Sequence, residues 1–556
     1  MLRIRVCVFF VVLPVMLFSC KKSETLEEES SKAASVESLA INGQPVANGG
    51  KVSGVSMDKP VEVDILFSNP IDLTQLDAGK LFIAGISGDN YALSRGDSDK
   101  QLILKINHKA LKSYSSYQFT IASGDNLGIH LDTYFVCYLQ TGLDSTAKFP
   151  VISDEALLTL VQQQTFKYFW DFGHPVSGMA RERSSSGDIV TTGGTGFGIL
   201  AMIVAVERGF ITREQARERI QTIVNFLDTY CTNYHGAFSH WINGRTGETQ
   251  PFSTYDDGGD LVETAFLMQG LLAAREYFHS TDSAEIKLTT DITKLWEGVE
   301  WDWYQQNNAN VLYWHWSPDY DWKMNMKITG WNEALIVYVL AAASPTHPVS
   351  KEVYEQGWAQ NGAMKNGKTF YGYPLPLGPD YGGPLFFSHY SFLGLNPTGL
   401  KDAYADYWEQ NRNHALINYT YCVTNPKQYA GYSADCWGLT ASDCDKDYNA
   451  FSPTNDQGVI APTAALSSMP YTPEESMRAL KFFYYTLGDR LWNSYGFLDA
   501  FNLSTCWVDS EYLAIDQGPI IVMIENYRTQ LLWNLFMQSD EIKSGLTKTG
   551  MVYTTK

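Results

Sequence analysis

Residues 253–276, STYDDGGDLVETAFLMQGLLAARE, set a crowd of acidic residues directly in front of a long apolar run. Asp256, Asp260 and Glu263 stand at i, i+4 and i+7, so a helix drawn through all three would carry their carboxylates on one face. The run behind them keeps apolar residues at helical spacing. The same pattern returns along the chain from Ser153, in DEALLTLVQQQTFKYFWDF, GFGILAMIVAVERG, TREQARERIQTIVNFLDTY, EIKLTTDITKLWEGVEWDWY, WNEALIVYVLAAAS, KDAYADYWEQNRNHALINY, EESMRALKFFYYTLGDRLW and IVMIENYRTQLLWNLFMQ. Many helices of similar length, with long loops rich in Trp, Tyr, Gly and Pro between them, predict a mainly α domain over residues 150–545. The expected architecture is an (α/α)₆ toroid, a closed ring of helical hairpins that gathers its loops around a cleft at one end.

The chain ahead of that domain has a different texture. Alternating runs such as VEVDILF (Val61 to Phe67), QLILKI (Gln101 to Ile106) and SYQFTIA (Ser116 to Ala122), set apart by Gly, Asp, Asn and Ser, predict a small β-sandwich over residues 36–147. It resembles the bacterial Ig-like domains that precede cell-surface enzymes, where such a module is a spacer or a carbohydrate binder. Residues 1–19 have the form of a lipoprotein signal: two arginines, an apolar run, and Leu17-Phe18-Ser19 before Cys20. Lipidation of Cys20 and a polar tether over residues 20–35 are therefore expected, with the protein held in the bacterial cell envelope at the outer membrane, on its periplasmic or outer face. No later segment is long and apolar enough to span a bilayer. Loss of Arg3 and Arg5 with the signal takes the formal charge from -20 to -22, which argues against nucleic acid or an anionic membrane surface as partner. A monomer bound to the membrane through its lipid alone is expected. The cysteines form no C-x-x-C pair; Cys436 and Cys444 could close a small disulfide loop or remain thiols.

Carboxylates are the chemistry on offer. Helix capping explains one or two of the acids at 256–260, but Glu263 lies a turn deeper among Leu261, Val262, Ala265 and Phe266. A carboxyl there needs a partner or a raised pKa, and a raised pKa suits a general acid. Glu333 follows Gly330-Trp331-Asn332 at the start of an apolar helix, and Asp516 precedes Gln517-Gly518-Pro519 and another; helix capping is the bland alternative for both. On a toroid, three such helix-start carboxylates converge on the same end. The aromatic loops LYWHWSPDYDW (Leu312 to Trp322), YGYPLPLGPDYGG (Tyr371 to Gly383) and DCWGLTASD (Asp435 to Asp443) suit the C–H faces of sugars, which makes Trp314, Tyr381 and Trp437, with Trp331, candidate substrate contacts.

Other motifs fall short. TGGTGFGILA (Thr192 to Ala201) has the glycines of a nucleotide loop without a βαβ frame. DCDKD (Asp443 to Asp447) begins like a calcium loop, but Tyr448 takes the place of the needed glycine and Thr454 that of the bidentate glutamate, so a solvated turn is expected. There is no H-E-x-x-H and no G-x-S-x-G. Neither a metal nor a cofactor is expected.

The blocks TGGTGFGILAMIVAVERGFITREQARERI, DDGGDLVETAFLMQGLLAAREYF, ITGWNEALIVYVLAAASPTHPV, DYGGPLFFSHYSFLGL, GVIAPTAALSSMPYTPEESMRAL and AIDQGPIIVMIENYRTQLLW, in this order from about Leu157 to Glu541, resemble the bacterial glycoamylase-like family, which includes the β-1,2-glucanases of Bacteroidetes. The resemblance implies an (α/α)₆ toroid and inverting hydrolysis of β-1,2-glucan, to sophorose or sophoro-oligosaccharides. Glu333 would be the general acid and Asp516 or Glu263 would serve the water, with Asp256 and Asp260 orienting sugar hydroxyls or tuning Glu263. The alternatives are hydrolysis of another neutral glucan and a non-catalytic glycan-binding lipoprotein.

Overall fold

The computed structural model describes residues 32–554. The proposed signal, Cys20 and most of the proposed tether lie outside them. The chain divides into two compact units, one built mainly from the segments up to Val55, Lys59–Ala110 and Tyr117–Leu139, the other from Gln140 onward.

The first unit is β. An antiparallel five-stranded sheet runs in the order Gln44–Pro45, Val36–Ile41, Val61–Phe67, Gln101–Ile106, Tyr91–Arg95, and a four-stranded sheet in the order Lys51–Val55, Phe135–Thr141, Ser116–Ile121, Leu81–Ile83. Strict alternation buries Val61, Val63, Ile65 and Phe67 on one face of the central strand, opposite Leu102, Leu104 and Ile106 of its neighbour. The expected tether is shorter than 20–35: Lys32–Ala34 already forms a strand, paired in parallel with Ile129–Leu131.

The second unit is helical: α1 (Asp154–Trp170), α2 (Thr192–Glu207), α3 (Arg213–Thr229), α4 (Leu261–Tyr277), α5 (Ser283–Glu297), α6 (Leu335–Ala343), α7 (Tyr407–Thr424), α8 (Pro462–Leu466), α9 (Pro473–Lys481), α10 (Gly488–Leu491), α11 (Ala514–Thr529), α12 (Leu531–Phe536) and α13 (Asp540–Thr549). Two kinds of helix are distinguished by burial. α2 is buried without a break from Thr192 to Ala205, α4 from Leu261 to Ala274, and α6 along its whole length. α3 and α5 bury one stripe each, Ala216-Ile220-Ile223-Val224-Leu227 and Leu288-Ile292-Trp296. A helix apolar all round must be covered on every side, whereas a striped helix does the covering. α2 packs along α4 and α11, and α3 lies against α5.

The glycines of TGGTGFG are explained here. They open α2 and let it approach α4 at backbone contact: a Cβ on Gly196 would lie 2.1 Å from the Phe266 carbonyl oxygen, and one on Gly270 would lie 2.2 Å from the Gly196 carbonyl oxygen. Gly196→Ala should therefore cost about 3 kcal/mol, the upper range for overpacking, since backbone and not a flexible side chain must yield. Urea unfolding of the variant measures it, and a loss below about 0.5 kcal/mol, ordinary for a tolerated surface change, would contradict the packing described.

Candidate active site

The N-terminal ends of the buried helices meet at one cavity. Thr191 caps α2, Glu263 sits in the first turn of α4, Glu333 lies two residues before α6, and Leu513 caps α11; all four line a cavity of about 370 Å³. Its other walls are largely aromatic, from Trp241, Phe252, Trp314, Phe386, Tyr390 and Tyr448. Helix N-termini favour negative charge, which suits the carboxylates collected there.

Asp260 is the anchor of this site. It is the N-cap of α4: its Oδ1 accepts the N–H groups of Val262 and Glu263, both at 2.9 Å. Its Oδ2 meets His240 Nδ1 at 3.0 Å and the Trp314 indole N–H at 3.3 Å, and lies 3.5 Å from His315 Nε2. Asp256, also buried, pairs with His315 Nε2 at 3.1 Å. Burial opposes charge on both rings, but Glu263 and Asp260 around His240, and Asp256 and Asp260 around His315, outweigh it and hold each imidazolium up to about 9. Burial likewise opposes charge on Asp260, and the two histidines overcome it, keeping its carboxyl well below the usual range.

Glu263 accepts the Gly193 N–H at 2.7 Å and the Thr191 hydroxyl at 3.3 Å, and His240 Nε2 is 3.9 Å away. A Cβ on Gly193 would stand 2.6 Å from Glu263 Oε2, so a larger residue there would displace the Glu263 carboxyl. Burial, followed by the charge of Asp260, pushes the Glu263 carboxyl up against the pull of His240 and of those donors. Glu333 differs. Its backbone is pinned where the Ser391 hydroxyl donates to its carbonyl and the Asn332 side chain accepts the Ala334 N–H at 3.0 Å. Its carboxyl, ringed by protein yet open to the cavity, has no cation beside it among the described residues, and burial aided by the charges of Glu263 and Asp260 raises it to about 7.

The sequence-predicted residues are only partly brought together. Asp256 is not on α4: Gly259 and Asp260 pair as a short strand with His315 and Trp316, and the helix starts at Leu261, so the i, i+4, i+7 face does not exist. Asp256 and Asp260 each pair with a histidine through one oxygen and stand behind the cavity without lining it. Asp516 is 1% exposed and stands back from the cavity under the first turn of α11, where burial raises its pKa and its carboxyl is hydrogen-bonded to that of Asp499. Of the four candidate aromatics, Trp314 lines the cavity. Trp331 is instead core, stacked on Tyr407 with ring centroids 5.7 Å apart, as is Trp437, whose indole N–H donates to the Glu475 carbonyl. Tyr381 packs on Phe370 away from the cavity. Large aromatics in loops that fold back over helices fill core as readily as they line clefts. Cys436 and Cys444 are both free thiols. Thr191, Gly193 and His240 were missed; the signal was in TTGGTG, whose glycines admit a carboxylate where a phosphate was considered and rejected.

Two groups among the described residues have ligand atoms close enough to share a cation: His240, Asp256 and Asp260, and Asp443, Asp499 and Asp509. In the first, His240 Nδ1 is already hydrogen-bonded to Asp260 Oδ2 at 3.0 Å, and His315 Nε2 lies 3.1 Å from Asp256 and 3.5 Å from Asp260.

Similarity to known proteins agrees with this geometry. Residues 325–540 match the glycoamylase family, described as "Putative glucoamylase". The chain is 47% identical over 426 residues to an exo β-1,2-glucooligosaccharide sophorohydrolase (non-reducing end) of Parabacteroides distasonis, an alignment covering 73% of this chain; the chain spans 59% of that relative's length. Among solved structures, an endo-β-1,2-glucanase from Chitinophaga pinensis, in complex with sophorotriose and glucose, is 52% identical, with a TM-score of 0.71 over 72% of this chain and 99% of its own. A β-1,2-glucanase from P. distasonis is 39% identical, with a TM-score of 0.71 over 93% of this chain and 74% of its own. Identity of this order across nearly the whole of a solved relative, on a chain whose buried helices bring Glu263 and Glu333 to one cavity, places the protein in the bacterial glycoamylase-like family.

Proposed function

We propose that this protein hydrolyses β-1,2-linked glucan with inversion at the anomeric carbon, releasing sophorose or sophoro-oligosaccharides. The observation that carries the proposal is that two carboxyl groups face one aromatic-walled cavity, Glu263 held by two donors and close to His240, and Glu333 without such partners among the described residues. Glu333 keeps a proton near neutral pH and protonates the leaving glycosidic oxygen. Glu263, held by two donors and faced by the His240 imidazolium, is the carboxylate that activates water. It is favoured over Asp516, which does not reach the cavity. Trp314 and Trp241 supply faces for glucose rings. The relatives carry both an exo and an endo activity, and the β-1,2 linkage is common to them.

The proposal extends to organisation. The alternation of wholly buried and striped helices supports a closed (α/α)₆ toroid, and the β unit is read as an Ig-like spacer. A lipid on Cys20 would hold the monomer in the cell envelope; Cys20→Ala should move it from the membrane to the soluble fraction.

The test is incubation with linear β-1,2-glucan, with starch and β-1,3-glucan as controls, and chromatography over time. Products from β-1,2-glucan alone are expected, a ladder marking internal cleavage and sophorose alone marking release from an end. Products from starch, or from no glucan, would overturn the proposal. The pH profile adds a second check: kcat/KM should fall above a pH of about 7, where Glu333 loses its proton. A profile flat up to pH 9 would exclude Glu333 as the acid.

A further inference from the structure

We infer that Asp443, Asp499 and Asp509 form a binding site for a divalent hard cation, with Ca²⁺ the best fit, distinct from the pair of carboxyls proposed for hydrolysis. Each residue offers an oxygen, and those oxygens lie within 4.8 Å of one another. That is the span of two ligands about 2.4 Å from a shared calcium ion.

The cluster is prepared in a way that surface acids are not. Asp499, 2% exposed, uses Oδ2 to accept the Asp443 backbone N–H at 2.9 Å, and its carboxyl is hydrogen-bonded to the buried carboxyl of Asp516. Asp509, 9% exposed, uses Oδ1 to accept the Ser510 and Glu511 N–H groups, and its Oδ2 has no donor. One oxygen of each is thus fixed by backbone, and Oδ2 of Asp509 is left buried and unsatisfied. A buried carboxylate oxygen without a donor costs on the order of 1–3 kcal/mol or more, so the arrangement calls for a partner. Arg183 is a poor candidate for it, since its guanidinium binds Asp443 at 2.8 Å and Glu182 at 2.9 Å and makes no bond to Asp509 Oδ2.

Access and ligand number agree. Asp443 and Asp509 also line a polar groove with Cys444, Asp445 and Asp447, open enough for water to complete the six to eight oxygen ligands calcium takes. All-oxygen donors exclude zinc and copper as the preferred ions. DCDKD does not build an EF-hand loop, but its first aspartate meets Asp499 and Asp509, 56 and 66 residues later, a combination no local motif displays. Arg183 and Tyr448 line both this groove and the aromatic cavity, so the cation would brace one wall of that cavity.

Isothermal titration of EDTA-stripped full-length protein with CaCl₂ tests the site, with thermal unfolding as a parallel readout and MgCl₂ as comparison. The expected result is one Ca²⁺ per chain, with a Kd of about 10⁻⁴ M or tighter and weaker binding of Mg²⁺, accompanied by a rise in Tm. Asp509→Asn and Asp499→Asn should each weaken binding at least about tenfold, as loss of one charged ligand requires. Asp509 lies at the groove and reports even if the deeper Asp499 variant does not fold. Absence of heat and of a Tm shift in the wild-type protein at millimolar Ca²⁺, or binding unchanged by Asp509→Asn, would overturn the site.

Discussion

Glu333→Gln is expected to lower kcat on linear β-1,2-glucan by about 1,000-fold, within the range general-acid catalysis contributes, while leaving affinity for sophoro-oligosaccharides within about threefold. The change keeps the size of the side chain and removes the proton that burial holds on the carboxyl up to about pH 7. A missing acid matters in proportion to the basicity of the leaving group. An aryl β-sophoroside with an acidic phenol should therefore recover most of the lost rate, which a merely misfolded cavity would not do. The alkaline limb of the pH profile should vanish in the same variant. Undiminished hydrolysis of the glucan would remove Glu333 from the mechanism.

Asp260→Ala should cost about 4 kcal/mol of stability at pH 6, summing a lost helix cap and a broken buried ion pair. The change strips two N–H groups of α4 of their acceptor and leaves His240 and His315 charged with one carboxylate fewer. The pH dependence has a definite sign. Both histidines are raised to about 9 in the folded protein, from about 6.5 when unfolded, so their contribution is complete below pH 6.5 and is lost as pH rises through 9. Asp260 is depressed, so its contribution is present above about pH 4 and lost at lower pH as the folded carboxylate takes up its proton. Urea unfolding between pH 5 and 9 should show wild-type stability declining above pH 6.5 and a shallower decline in Asp260→Ala. A loss below about 1 kcal/mol would show that the cluster does not bear on α4 as described.

How far these features could be read from sequence depends on how local their causes are. Helical periodicity marks α3 and α5 because burial of a stripe repeats within a few residues, whereas α2, α4 and α6 read as long apolar runs because they are covered on every side. Glu263 stands out because it lies a turn deeper among apolar residues than capping explains, and Glu333 only through convergence with the other helix-start carboxylates. Asp256 was placed on α4 because spacing cannot show that Asp260 turns its side chain to the backbone and starts the helix one residue later. Trp331 and Trp437 sit in polar, glycine-rich surroundings along the chain, yet Tyr407 and the Glu475 carbonyl, 76 and 38 residues away, make them core. Gly193 and Gly196 were legible as small residues but not as the seats of Glu263 and Phe266, because the contact belongs to another helix. Asp499 and Asp509 carry no local signal at all.

The proposed chemistry is tested most directly by proton NMR of a linear β-1,2-glucan digest in its first minutes, before mutarotation scrambles the new reducing ends. Water delivered by Glu263 from the face opposite the leaving oxygen should give the α-anomer first, with the β-anomer appearing only as the sugar equilibrates. A β-anomer at the earliest time, or no cleavage, would contradict the account.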